Sequence, residues 1–169
     1  MKTSEAYEAT ESLRSSMPNI FGSVIFEFPF KERPRIGVRY PEQNCGLPIT
    51  GDGIGSKSGV YLITTPEEEI IYIGKATKNN LHGRVWSHLE TPKNDSNGNW
   101  LFPNNDFANK ELNSFSSDDN MVKLVTEGNA FIKIITISDP QTVSLVEVYL
   151  QTLHQIKHEK LPYFNKKIG

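Results

Sequence analysis

Two short apolar segments separated by a charged turn dominate the middle of the chain. Gly59 to Thr64 and Ile70 to Gly74 are rich in β-branched and aromatic residues. The four residues Thr65-Pro66-Glu67-Glu68 lie between them and supply the turn. This alternation of strand-forming residues around a polar turn predicts an antiparallel β-hairpin.

The register of this hairpin is predicted from its side-chain pattern. If Thr64 pairs with Glu69, Tyr61 lies opposite Tyr72. One face then carries both tyrosines and the other is wholly aliphatic, with Val60, Leu62, Ile71 and Ile73. A slip of one residue would mix the two faces, so the pattern favours this register.

The remaining periodicities predict helices and strands on both sides of the hairpin. Predicted helices are Ser4 to Ser16, Asn80 to Glu90, a short one around Phe107 to Phe115, and one that starts at Asp139-Pro140 and runs to about Lys157. Predicted strands are Ser23 to Phe30 and Phe131 to Ile137. The expected class is α+β, with a small central three-stranded antiparallel sheet flanked by helices. Residues 1–57 are predicted to form an N-terminal extension of a helix, a strand and a Gly/Pro-rich linker (41–58), and residues 58–169 the main domain.

Composition narrows the functional classes. The 169 residues include one cysteine, Cys45, which excludes an internal disulfide and a multi-cysteine zinc site. No apolar run reaches the ~20 residues that span a bilayer, and the polar N-terminus has no apolar core like that of a signal peptide. We therefore expect a cytoplasmic protein with no membrane partner. The net charge of −2 gives no general support for nucleic-acid binding, so any such contact must come from local patches.

The hairpin carries a recognisable pair of triplets. Gly59-Val60-Tyr61 and Tyr72-Ile73-Gly74 are separated by ten residues and are followed by Lys75. This arrangement resembles the signature of the GIY-YIG nuclease superfamily, with Val60 in place of the usual isoleucine. Members of that family place an arginine on the next helix, a histidine or tyrosine one turn later, a glutamate on a later helix and often an asparagine near the domain end. The matching residues here are Arg84, His88, Glu147 and Asn165, and the resemblance covers about residues 58 to 169.

The resemblance implies an endonuclease that hydrolyses DNA phosphodiester bonds. Such a reaction needs an activated water and stabilisation of the phosphoryl oxygens. Tyr61 is the candidate general base, which requires that its pKa be lowered toward neutrality with help from His88 or Lys75. Tyr72 would orient water or phosphate, and Arg84 would clamp the phosphoryl oxygens with its planar fork.

A divalent metal completes the implied site. Glu147 would hold one Mg²⁺ or Mn²⁺ ion, because magnesium keeps several waters and accepts a single carboxylate together with substrate phosphate oxygens. Asn165 would either fix Glu147 or bind phosphate. The expected partner is double-stranded DNA, and a restriction-type role fits a domain with only a short extension. Arg33, Arg35, Arg39 and Lys78 are candidate contacts to the nucleic acid.

Other interpretations stay open on the sequence alone. Tyr61 and Tyr72 could form an ordinary cross-strand aromatic pair, and charge runs are usually solvated faces. The same scaffold could serve as a non-catalytic module that binds nucleic acid or protein. A zinc hydrolase could use His154 and His158, four residues apart on the last helix, but no third ligand is evident. The sequence leaves the oligomeric state, the recognition site and the choice between DNA and RNA undetermined.

Overall fold

The computed structural model describes residues 1–29, 54, 56–81, 83–85, 93–94, 100–101, 124 and 130–169. The helices are α1 (Thr3–Ser16), α2 (Pro18–Phe21) and α3 (Val143–His158). The strands are β1 (Phe26–Glu27), β2 (Ser58–Thr64), β3 (Ile70–Ala76), β4 (Lys93–Asn94), β5 (Trp100–Leu101) and β6 (Phe131–Ile137). The predicted α+β class is confirmed. Within these residues no helix has the length and apolar character needed to cross a membrane.

The main sheet has four antiparallel strands rather than three, in the order β1-β6-β2-β3. The added strand comes from the N-terminal part of the chain, where Phe26 pairs with Ile137 and Glu27 with Thr136. The strand predicted from Ser23 to Phe30 starts later than expected, at Phe26, and Phe30 lies outside the described residues. Beyond these pairs the Ser138 amide donates to the Ile25 carbonyl at 3.1 Å, and the Ile25 amide donates to the Ser138 hydroxyl at 2.9 Å. Strands β4 and β5 pair with each other in a separate two-stranded sheet.

The hairpin forms as predicted, but its register was wrong by two residues. Tyr61 pairs with Gly74, and Tyr72 pairs with Ile63. The loop is one residue longer than expected, since Thr64 pairs with Ile70, and Ile71 is an extra residue at a bulge between the pairs of Ile63 and Thr64. A shift of two residues keeps each side chain on its predicted face, because side chains alternate with period two. The bulge moves Ile71 to the face that carries the tyrosines and Ile70 to the opposite face.

Each face of the sheet has its own hydrophobic core. We call the first the tyrosine face; it contains Tyr61, Ile63, Ile71, Ile132 and Ile134, and packs against Leu81, Val85 and Phe164. We call the second the helix face; it contains Val60, Leu62, Ile73, Ile135 and Ile137, and packs against α1 and α3 through Ala6, Leu13, Val146 and Leu150. Both sides of β2 are therefore buried, which is why its seven residues all lie in the interior.

The N-terminal residues pack directly on this sheet. Met1 and the buried side of α1 belong to the core of the helix face. The Ile70 amide donates to the Met1 carbonyl at 3.0 Å, and the Thr3 amide donates to the Glu68 carbonyl at 3.1 Å. Residues 1–29 of the predicted extension thus contribute two helices and a strand to the fold.

Helix α3 begins later than predicted. Asp139 and Pro140 form a turn before it: the Asp139 carboxylate accepts from the Gln141 amide at 3.0 Å, and Thr142 occupies the cap position. The same local hydrogen bonding that favours Asp at a helix start also favours such a turn. The helix ends at His158, where Glu159 adopts a left-handed conformation with φ of 58°. The predicted helix around 107–115, residues 86–90 of the helix that starts at Asn80, and most of the linker lie outside the described residues.

Candidate active site

The two glycines of the triplets are required by close packing. A Cβ on Gly74 would lie 2.5 Å from Cζ and 2.6 Å from the hydroxyl oxygen of Tyr61, so the Tyr61 ring rests directly on the Gly74 backbone. A Cβ on Gly59 would lie 2.2 Å from the Ile135 carbonyl oxygen of the neighbouring strand. Both contacts are shorter than real Cβ atoms show. The pattern Gly-x-Tyr and Tyr-x-Gly therefore has a steric basis in this chain.

Tyr61, Tyr72 and Arg84 come together on the tyrosine face. The two tyrosine rings have centroids 6.0 Å apart and are tilted by 44°. The fully buried Tyr61 hydroxyl is hydrogen-bonded to Tyr72 and accepts a hydrogen bond from the Arg84 guanidinium. Arg84 is positioned by the helical residues 83–85, whose first turn is closed by the Arg84 amide and the Asn80 carbonyl at 3.1 Å. The half-buried Tyr72 and the exposed Arg84 connect the buried hydroxyl to the surface.

The electrostatics of Tyr61 differ from the expectation for a general base. Burial raises the pKa of Tyr61 above its ordinary value of 10.0, and the neighbouring Tyr72 raises it further. Arg84 lowers that pKa without offsetting the burial. The lowered pKa predicted for Tyr61 is therefore wrong for this structure. A buried phenol that keeps its proton serves as a hydrogen-bonding group that fixes its partners.

Lys75 and Glu147 form a second group. Lys75 Nζ lies 2.7 Å from Glu147 Oε2, and the Glu147 side chain is only 7% exposed. The contact is an ion pair whose geometry does not meet that of a hydrogen bond, so Glu147 Oε2 is buried without a hydrogen-bond donor. Lys75 is opposite Val60 in the register and so begins on the helix face. It follows Gly74 on β3, the outer strand of the sheet. The side chains that affect the pKa of Tyr61 are Tyr72 and Arg84, and the predicted partner Lys75 is not one of them.

Glu147 is the residue that fits a divalent metal. Its Oε2 atom is buried and lacks an aligned hydrogen-bond donor, which leaves a carboxylate lone pair for a cation. In the described residues no three His, Cys, Asp or Glu side chains cluster as a ready-made metal site. A single carboxylate nevertheless suits Mg²⁺, which retains waters and takes its other ligands from phosphate.

His154 and His158, the two histidines considered for zinc, lie with ring centroids 4.6 Å apart. His154 Nδ1 is hydrogen-bonded to the Lys160 carbonyl.

Asn165 has a role that the sequence did not predict. Its side chain accepts from the Ile73 amide at 2.8 Å and donates to the Ile73 carbonyl at 2.9 Å. It therefore pairs with the outer edge of β3 as another strand would, and it contacts neither Glu147 nor Tyr61 through these atoms. Gln151 also donates to the Ile73 carbonyl, at 3.2 Å. Gln151 follows Glu147 by one helical turn, and this i, i+4 spacing is the signal that could have identified it.

The other predicted residues divide into two sets. His88, Arg33, Arg35 and Arg39 lie outside the described residues. Lys78 is exposed at the end of β3, on the turn that leads to Arg84. Sequence reasoning missed Lys57, which precedes β2 and lies at the same end of the hairpin. The acidic residues Glu67, Glu68 and Glu69 lie in the turn at the opposite end, so charge is polarised along the hairpin.

No protein-family model, no curated protein and no solved structure matches this chain in the comparisons made with each. The chemistry of the site is accordingly inferred from the two groups around Gly74. These are the hydrogen-bonded set Tyr61, Tyr72 and Arg84, and the ion pair of Lys75 with Glu147. The first group lies on the tyrosine face and the second begins on the helix face, because Lys75 is one residue out of phase with Gly74 and Tyr72.

Proposed function

We propose that this protein is a metal-dependent endonuclease of the GIY-YIG type, which hydrolyses phosphodiester bonds in DNA. The observation that carries the proposal is the buried Tyr61 hydroxyl, held by Tyr72 and Arg84 over a glycine that admits no side chain. A buried hydroxyl between a second hydroxyl and a guanidinium is costly to assemble without a use, because each polar group must lose its water. Buried polar networks of this kind concentrate at functional sites.

Each residue of the network has a distinct task. Arg84, exposed and permanently charged, binds two phosphoryl oxygens and stabilises the charge that grows on them. Tyr72 hydrogen-bonds the phosphate or the attacking water from its half-buried position. Tyr61 keeps its proton and acts as a positioning residue that sets the orientation of the other two. This replaces the role of Tyr61 as general base.

Glu147 and Lys75 form the cation-binding part of the site. The buried Glu147 carboxylate would hold one Mg²⁺ or Mn²⁺ ion through Oε2, the atom that the Lys75 ammonium contacts in this structure. A divalent metal at such a carboxylate lowers the pKa of water and neutralises phosphoryl charge. Lys75 is one-third exposed, so its ammonium can leave Glu147 and contact an incoming phosphate instead.

The polarity of the hairpin supports a polyanionic substrate. Lys57, Lys75 and Lys78 lie at the end of β2 and β3 from which Arg84 follows, and the three glutamates of the turn lie at the far end. Lys57 and Lys75 are paired with Glu27 and Glu147, so the charges that would attract a nucleic-acid backbone to this end are those of Lys78 and Arg84. The net charge of the whole chain, −2, conceals this local field.

A plasmid assay tests the proposal. Supercoiled DNA is incubated with the wild-type protein in Mg²⁺, in Mn²⁺ and in EDTA, beside Glu147→Gln and the control Glu8→Gln. The first variant keeps the shape of a buried carboxylate and removes its charge, whereas Glu8 is an exposed residue of α1. We expect metal-dependent nicking by the wild type and the Glu8 variant, and a loss of about 100-fold or more in Glu147→Gln.

Two further variants separate positioning from charge. Arg84→Lys keeps the positive charge and loses the planar fork, and we expect about a tenfold or larger loss in rate. Tyr61→Phe removes only the central hydroxyl, so it should lower the rate without changing the metal concentration that gives half the maximal rate. Equal nicking by the wild type and Glu147→Gln on several DNA substrates would refute catalysis at this site.

A non-catalytic binding module is the second candidate. The complete burial of Tyr61 and the pairing of the buried Glu147 carboxylate with Lys75 favour it, because neither Tyr61 nor Glu147 faces open solvent. The two functions differ in one measurement. A module of this kind would bind DNA in Arg84-dependent fashion and leave the plasmid supercoiled at every metal concentration.

A further inference from the structure

A polar cleft of about 210 Å³ lies beside the site, at the end of the sheet where β2 begins and β3 has just ended. Its wall contains the side chains of Glu27, Lys57, Ser58, Asn79, Thr136 and Ser138. Ile25, which is 60% exposed, adds an apolar surface on one side. None of these residues has a task in the proposed hydrolysis.

One wall of the cleft shares a face of the sheet with the tyrosines, whereas Ser58 lies at the start of β2 in the opposite phase. Glu27 pairs with Thr136, Thr136 pairs with Gly59, and Gly59 pairs with Ala76, so these four residues form one row across all four strands. Directly opposite residues in antiparallel strands project to the same side, and Gly59 and Tyr61 are two residues apart on β2. The row is therefore on the tyrosine face, about 7 Å along the strands from the row of Tyr61.

The middle of this row is buried. Gly59 has no side chain, and its partner Ala76 belongs to the core of the tyrosine face. The cleft is connected to the site along the chain, because Asn79 lies in its wall and Arg84 follows Asn79 by five residues.

The chemistry of the cleft suits a neutral, planar, hydrogen-bonding ligand. The Glu27 carboxylate is ionised, because hydrogen bonds from Lys57 and Thr136 lower its pKa, and it disfavours a phosphate. Those two bonds engage Oε2 and leave Oε1 as an acceptor. The Asn79 oxygen accepts from the Ser58 hydroxyl at 3.0 Å, which leaves the Asn79 amide group as a donor. An acceptor and a donor beside an apolar surface match the edge and the face of a nucleobase.

Asn79 is held in an uncommon backbone conformation. Its φ is +51°, and its backbone N–H donates to the Ser58 hydroxyl at 2.9 Å. Together with the hydrogen bond from Ser58 to Asn79 Oδ1, this fixes both the backbone and the carboxamide at the cleft. Non-glycine residues in this conformation are uncommon and often serve local hydrogen bonding or function. The turn also leads directly into the helical residues that place Arg84.

We propose that this cleft binds an unpaired nucleobase of the nucleotide next to the scissile phosphate. The inference rests on the proposed nuclease function and specifies its substrate class: nucleic acid with an unstacked nucleotide beside the cut. A paired base has its Watson–Crick edge occupied and cannot present it to Glu27 and Asn79. The enzyme should accordingly favour bulges, flaps or single-stranded gaps over continuous duplex.

Equilibrium binding tests this inference without catalysis. Oligonucleotide duplexes carry one unpaired 2-aminopurine, an abasic residue in the same bulge, or a fully paired 2-aminopurine, and binding is measured in EDTA by fluorescence anisotropy. DNA and RNA versions of each are compared, since both supply the same base chemistry. We expect the bulged base to bind at least tenfold more tightly than the abasic bulge in one of the two backbones, with a change in 2-aminopurine emission.

Three variants locate the effect. Asn79→Gly removes the carboxamide and tolerates the positive φ, and Glu27→Gln removes the charge and keeps the shape. Both should reduce the preference for the base over the abasic residue to less than threefold. Glu67→Gln, in the turn at the far end of the hairpin, is the matched control and should leave the preference unchanged. Thermal unfolding of each variant shows that the fold is retained.

The outcomes separate this inference from the proposed function. If the plasmid assay shows Glu147-dependent nicking while base and abasic bulges bind equally, the nuclease stands and the nucleobase site is wrong. If the wild type prefers the base but Asn79→Gly and Glu27→Gln prefer it equally, the base is bound elsewhere and the assignment of this cleft is overturned. If no nucleic acid is bound or cut, both fail together.

Discussion

The two faces of the sheet each bury a hydrophobic core but differ in how their tyrosine hydroxyls are hydrogen-bonded. The helix face is covered by α1 and α3, and its half-buried tyrosine, Tyr7, has a buried hydroxyl oxygen without a hydrogen-bond partner among the described residues. The tyrosine face instead holds the Tyr61 hydroxyl between Tyr72 and Arg84 and leads to the surface. The contrast indicates that the tyrosine face is organised around a hydrogen-bonded network, whereas the helix face combines the packing of α1 and α3 with the Lys75–Glu147 ion pair.

Substitution of the triplet glycines should have the largest effects. In Gly59→Ala the added Cβ meets the backbone oxygen of Ile135, which cannot move without separating β2 from β6. We expect little or no folded protein. In Gly74→Ala the Cβ meets the Tyr61 side chain, so we expect folded protein of reduced stability with a displaced ring and at least a tenfold lower cleavage rate. Circular dichroism and the plasmid assay distinguish the two, and a fully stable, active Gly59→Ala protein would contradict the packing described here.

A cavity in the helix face should affect stability alone. Leu150 of α3 is fully buried there. Leu150→Ala should lower the free energy of unfolding by about 2–5 kcal/mol, from lost apolar burial and the cavity that remains. Denaturant unfolding measures the loss, and cleavage per folded molecule should stay within about twofold of the wild type. A large loss of activity in the folded fraction would show that the two faces are not separable.

Alkaline pH should destabilise the protein through both buried tyrosines. Burial raises the pKa of Tyr61 and of Tyr7 above 10.0, their ordinary value. Above that pH the unfolded chain loses phenolic protons that the folded protein retains, so stability present below pH 10 is lost as pH rises. The loss is at most about 1.4 kcal/mol per pH unit for each tyrosine. Unfolding measured between pH 9 and 11 should show a smaller slope in either Tyr→Phe variant.

The two tyrosines should respond oppositely to loss of their hydroxyls at pH 7. Tyr7→Phe removes an unpartnered buried oxygen and should leave stability unchanged or raise it by about 1 kcal/mol. Tyr61→Phe removes hydrogen bonds to Tyr72 and Arg84 and should cost about 1 kcal/mol. Thermal denaturation of the pair checks this. Equal effects on stability would mean that the hydrogen bonds of the Tyr61 hydroxyl do not stabilise the fold more than the unpartnered Tyr7 hydroxyl does.

The surface ion pair between α1 and α3 should matter least. Lys157 hydrogen-bonds Glu5 and lowers the pKa of Glu5 from 4.5 to about 2. Its contribution is present above pH 4.5 and is lost as pH falls toward 2. Because both side chains are well exposed, Glu5→Gln should change stability by less than about 1 kcal/mol at pH 7. Chemical denaturation at pH 7 and at pH 3 should show a smaller difference in the variant than in the wild type.

Much of the fold could be predicted from the sequence because the signals are local. The bounds of β6 match the prediction, and β2, β3 and α1 differ from theirs by one or two residues. The start of α3 was misplaced because Asp and Pro also favour the turn that they form here. The fourth strand was missed as a sheet member, since pairing of Phe26 with Ile137 depends on contacts between distant parts of the chain.

The candidate site was predictable in its residues and less so in its contacts. Tyr61, Tyr72 and Arg84 come together as the triplets and the helical spacing suggested. Lys75 contacts Glu147 rather than Tyr61, and Asn165 pairs with the backbone of Ile73. These pairings join residues far apart in sequence, for which periodicity carries no information.

The sequence by itself determined which side chains share a face. Alternation with period two survives a register shift of two residues, so the tyrosines stay together and Val60, Leu62 and Ile73 remain opposite them. Only the tertiary structure decided the register, because the longer loop and the bulge at Ile71 depend on how the turn packs against α1. It also decided the protonation of Tyr61, since a pKa follows from the water that surrounding residues exclude, and that burial exists only once the sheet is covered.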